Sequence, residues 1–139
     1  MAIAAMNRYF FALLFLCLLF CTSCGKNHTE QVLESMQAVE TAMRLNVDNP
    51  EGLLKALDEC IEKYQPVWDK SAHLLESKSY DSYMREYNLQ VEELRKVQLS
   101  IINLDLEIQD NLRDNPDMLQ KYYQKLGQLG AQNELIIDN

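Results

Sequence analysis

Apolar residues recur along this chain at intervals of three and four rather than two, the period of helices that bury one face. Val32, Met36, Val39 and Met43 form one such stripe and predict a helix over 29–45. Leu53, Leu57, Cys60, Ile61, Tyr64, Trp68 and Leu75 predict a second over 50–77. Over 80–112, Tyr80, Tyr87, Leu94, Ile101 and Ile108 fall at sevens, joined by Met84, Val91, Val97 and Leu104. That heptad-like seam belongs to bundle packing. A fourth, shorter stripe of Met118, Leu119, Tyr122, Tyr123 and Leu126 follows Pro116, and Gly127 and Gly130 are expected to end it. The apolar tail Leu135, Ile136 and Ile137 is expected to pack back on the rest.

Two matching start signals punctuate the pattern, Asp48-Asn49-Pro50-Glu51 and Asp114-Asn115-Pro116-Asp117. In each, Asn caps free N–H groups, Pro takes the first helical position, and an acid meets the positive end of the helix. Pro66 lies inside the second helix and is expected to kink or split it. At 1.5 Å per residue the second and third helices measure roughly 42 and 50 Å, the first and fourth only about 25 and 18 Å. With short connections, these lengths predict an all-α fold: an antiparallel helical bundle of three to four helices with a long central helical hairpin. The bundle should thin beyond Pro66 to a two-helix tip holding Trp68, Leu74, Leu75, Tyr80, Tyr83, Met84 and Tyr87.

Composition agrees with helices and narrows the function classes. The 139 residues include only four Gly and three Pro, and 139 residues accommodate one domain. A formal charge of -8 without a basic block argues against a nucleic-acid partner.

The first 23 residues stand outside the helical pattern. Arg8 precedes an unbroken apolar run from residue 9 to 21, too short for the ~20 residues of a spanning helix and right for an export signal. Cys21-Thr22-Ser23-Cys24-Gly25 follows the run. This resembles the lipobox of bacterial lipoproteins, with Cys21 standing where Leu is usual. The resemblance covers about residues 1–25. It implies cleavage before Cys24, a diacylglyceryl thioether on its sulfur, and attachment to a membrane of the bacterial envelope. By the same resemblance, Gly25 in place of a retention Asp points, in a Gram-negative cell, to the outer membrane, with the domain facing the periplasm or the cell surface. A diacylated cysteine is a durable tether, since two chains hold where one only visits. The expected organisation is a signal over 1–23, a tether over 24–28 and a helical domain over 29–139. Removal of the signal takes away Arg8 alone among the charges, leaving 12 basic and 21 acidic side chains, net -9. Cys60 then remains as a lone cysteine, best read as a small buried hydrophobe.

Candidate chemistry is sparse. Asp69, His73 and Glu76 share a helix face at metal-ligand spacing, but the face is polar and reads as solvated, and no metal or other cofactor is assigned. His28 falls in the tether. No Gly-x-Ser-x-Gly, phosphate-cradling glycine loop, His-Glu-x-x-His or haem attachment motif is present, so no catalytic residue is assigned and the chain is read as a non-enzyme. The expectation is a lipid-anchored module that binds protein or assembles the envelope. Its partner, or a second copy, would dock at the tip through Trp68, Tyr80, Tyr83, Met84 and Tyr87. The competing expectation is an acidic inhibitor or immunity-type protein that captures a cationic secreted partner.

Overall fold

The computed structural model describes residues 25–76 and 80–137. The signal segment, Cys24 and residues 77–79 and 138–139 lie outside the described residues, as do the side chains of 75–76, 83 and 130–137. Among the described residues four helices follow in order: α1 (His28–Leu45), α2 (Pro50–Glu76), α3 (Tyr80–Asn111) and α4 (Pro116–Ile137). The fold is an all-α helical bundle.

The helix starts follow the capping chemistry. Asn49 Oδ1 accepts from Gly52 N at 3.1 Å, and Asn115 Oδ1 accepts from Met118 N at 3.3 Å. The four-residue loops before them also match, with Asn49 N donating to Asn46 O and Asn115 N to Leu112 O, each at 2.9 Å. α1 begins at His28 because Asn27 is its cap: Asn27 Oδ1 accepts from Glu30 N while Glu30 Oε2 accepts from Asn27 N, a reciprocal box that satisfies two orphan donors.

Two boundaries differ from the sequence expectation. Pro66 does not split α2, which is one helix through to Glu76. Nor do Gly127 and Gly130 stop α4, which continues to Ile137. Neither glycine takes the left-handed conformation of a helix stop, since no described residue has positive φ. Leu126 and Leu129 keep that stretch packed on the core, outweighing a glycine's cost of ~1 kcal/mol within a helix.

α1 is the wedge of the bundle. It packs against both α2 and α3, whereas α2 and α3 approach each other directly far less, and α4 packs against α2. α1 earns this position through a broad buried face on which Val32, Met36, Val39 and Met43 alternate with Thr29, Ser35 and Ala42. The small residues let neighbouring backbones come close. Contacts fix the directions. His28 meets Ser71 and Ser35 meets Trp68, so α1 and α2 are antiparallel. Glu40 meets Ser100 and Val47 meets Asn111, so α1 and α3 run parallel. Tyr122 donates to Asp105 at 2.7 Å and Tyr123 to Gln109 at 3.1 Å, closing α4 antiparallel onto α3.

The main core joins Val39, Met43, Leu53, Leu57, Tyr64, Trp68, Leu104, Ile108, Tyr122 and Leu129. A second cluster, Val32, Met36, Leu94 and Val97, lies between α1 and α3. At ~1.5–3 kcal/mol per fully buried large side chain, these clusters hold the helices together.

Trp68 is a correction to the expected tip. It is 3% exposed, and its indole N–H donates to Ser35 Oγ at 2.9 Å. α1 is 18 residues long, about 27 Å, and reaches Ser71 rather than stopping near Pro66. The bundle therefore thins one turn later than the pattern implied, and Trp68 offers no docking surface.

Candidate functional site

The remaining tip residues gather where α1 starts, α2 finishes and α3 starts. Tyr80 is 39% exposed, Met84 and Tyr87 are half-buried, and Tyr87 packs against the Val32–Leu94 cluster. Of the five residues expected to dock a partner, Tyr80 and Met84 thus present surface, Tyr87 is shared with the core, Trp68 is buried, and the Tyr83 side chain lies outside the description.

Beside them opens a cleft of about 330 Å³, lined by Lys26, Asn27, His28, Gln31, Lys70, Leu74, Ser82 and Glu86. His28 is no solvated tether residue. It is buried as the first residue of α1, with Nε2 2.7 Å from Ser71 Oγ. Burial, and secondarily the Lys70 ammonium, hold its pKa below the ordinary histidine value. Lys26 on the rim pairs with Glu34 at 2.5 Å, and that hydrogen bond with its attendant charge raises the lysine pKa and lowers that of Glu34.

Lys26 and Lys70 thus bring cationic groups to the recess and Glu86 an anionic one, beside apolar surface that includes Leu74. Although Ser71 and His28 are adjacent, Ser71 Oγ is buried and also donates to Val67 O at 3.2 Å, so this pair joins α1 to α2 and presents no nucleophile to solvent. Asp69 accepts from Gln65 at 2.8 Å and, like His73, is exposed. Among the described residues no group of three His, Cys, Asp or Glu converges. Cys60 is half-buried against the main core, and burial pushes its thiol pKa up, which weakens a nucleophile.

One surface escaped the sequence reading. Leu99, Ile102 and Leu106 are 63%, 54% and 62% exposed on the face of α3 away from its inner seam. Their 3-4 spacing was visible in the sequence, but the longer inner repeat of Leu94, Val97, Ile101, Leu104 and Ile108 dominates the same helix. Compared with known proteins, the chain matches no family model, no curated protein and no solved structure.

Proposed function

We propose that this chain is a bacterial envelope lipoprotein, anchored through Cys24, whose helical bundle works by binding rather than catalysis. The observation that carries the reading is the short join between the Cys21–Gly25 motif and the fold. α1 begins at His28, four residues after Cys24. Four extended residues span at most about 14 Å. An acylated Cys24 thus brings the open end of the bundle, with its cleft and Tyr80, Met84 and Tyr87, close to the headgroups. The anchor proposed here is the lipid on Cys24; among the described residues no helix is long and apolar enough to cross a membrane. The capped first turn of α1 supports the same reading, because it fixes the point of the fold from which the tether leaves.

The experiment places a photo-crosslinking residue at Tyr80 or at Met84 in the full chain, expressed in an export-competent bacterium, beside a Cys24→Ser copy of each. The proposal expects a discrete protein adduct from the anchored chain and its loss from the copy that cannot be acylated. Adducts to lipid alone, or the same protein adduct from both copies, would refute the proposed site.

A further inference from the structure

From Glu92 on, the outer face of α3 carries six exposed residues in an arc of about 80° at 100° per residue, Glu92, Arg95, Leu99, Ile102, Leu106 and Asp110, and exposed Arg113 follows in the turn after the helix. In chain order they read acid, base, three apolar residues, acid, base. That order is complementary to its own reverse. When two copies of the helix run antiparallel about a twofold axis beside Ile102, Leu99 lies over Leu106 of the second copy and Ile102 over its own mate. Arg95 then faces the second copy's Asp110, and Glu92 lies toward the turn in which its Arg113 pairs with that Asp110. Parallel pairing instead stacks Arg95 on Arg95 and Arg113 on Arg113, a repulsive arrangement.

The charged ends are already ordered for the antiparallel partner. Arg95 pairs with Glu92 at 3.5 Å, and Arg113 pairs with Asp110 within the same chain. Antiparallel docking lays each pair on the other with its polarity reversed, which makes a four-charge ring at both ends of an apolar centre. From Glu92 to Asp110 the helical part of the seam runs roughly 27 Å. A single surface that matches itself through a twofold axis is the signature of an isologous dimer.

We infer that α3 is a homodimer interface, with Leu99, Ile102 and Leu106 as its centre and the Glu92–Arg95 and Asp110–Arg113 pairs as its register. The surface does not depend on Cys24 or on the tip. With both tethers in one membrane, the antiparallel pair lies along the surface, because the tethers leave from its opposite ends.

Sedimentation equilibrium of the full chain in density-matched mild detergent tests this. The wild type is expected to be a dimer, and Leu99→Glu combined with Leu106→Glu to be a monomer with unchanged helical circular dichroism. Arg95→Asp alone and Asp110→Arg alone each weaken the dimer by about tenfold or more, since each places like charges opposite one another twice per dimer. An equimolar mixture of those two variants restores it, because both facing pairs in the heterodimer are then opposite in sign. A monomeric wild type, single variants that dimerise normally, or a mixture no tighter than its components would each overturn the inference. Loss of acylation at Cys24 would leave it untouched.

Discussion

His28 and Trp68 exchanged the places that residue type alone gives them. A histidine in an expected tether is ordinarily solvated, and a tryptophan near a hairpin tip is ordinarily an anchor. Here Asn27 caps the helix, which draws His28 inside against Ser71, and Ser35 accepts the Trp68 N–H, which ties the indole into the core. Serine and histidine carry no hydropathic signature of burial, so this polar stitching of α1 to α2 was illegible in the sequence. It has a pH consequence. Because His28 binds a proton less readily in the folded protein than in the unfolded chain, its contribution to stability is complete above the ordinary value of 6.5 and is lost as the pH falls through that value toward the lower folded pKa. Lys26, Lys70 and Glu86 share the cleft with it. Melting temperatures between pH 8 and 5 are expected to decline below about pH 6.5 in the wild type, and less steeply in His28→Gln. Parallel declines would exclude His28 as the source.

Among the elements, three of the four helices were legible to within a residue at each end, because capping residues and prolines mark them directly. α1 needed only a shift of one residue. The start of α4 at Pro116 was legible too, but its end was not, since a glycine read as a stop continues the helix when the residues around it are packed. The two mapped glycines within helices make opposite demands. A Cβ at Gly127 would meet nothing within 4 Å, whereas one at Gly52 would meet Asn46 Oδ1 and Asn49 Nδ2 at 2.5 Å. Gly127→Ala is therefore expected to stabilise the protein by ~0.5–1 kcal/mol through helix propensity and the unfolded chain's entropy. Gly52→Ala should instead destabilise it by displacing the asparagines that cap and connect α1 and α2. Chemical denaturation of both variants checks the pair. A destabilised Gly127→Ala would mean that α4 does not run through this position as a helix.

At the scale of the whole molecule, the heptad seam and short connections sufficed for the all-α bundle, while the pairing of its helices depended on something subtler. Thr29, Ser35 and Ala42 make α1 narrow enough to wedge between the two long helices. Small residues in a stripe read as weak core from sequence, not as the place where helices come closest. The wedge extends cover to Ser71, and the cleft lies where α1 and α3 start and α2 finishes, four residues from Cys24. Of the docking residues read from the sequence, Tyr80 and Met84 present surface and Trp68 does not, while the cleft beside them was illegible. Chemistry at one cysteine joins this architecture to the proposed function. The most direct measurement is the intact mass of the full-length gene product purified from membranes of an export-competent bacterium. The account predicts a chain that begins at Cys24 and carries a diacylglyceryl group. A chain that begins at any other residue, or at Cys24 without lipid, would contradict it.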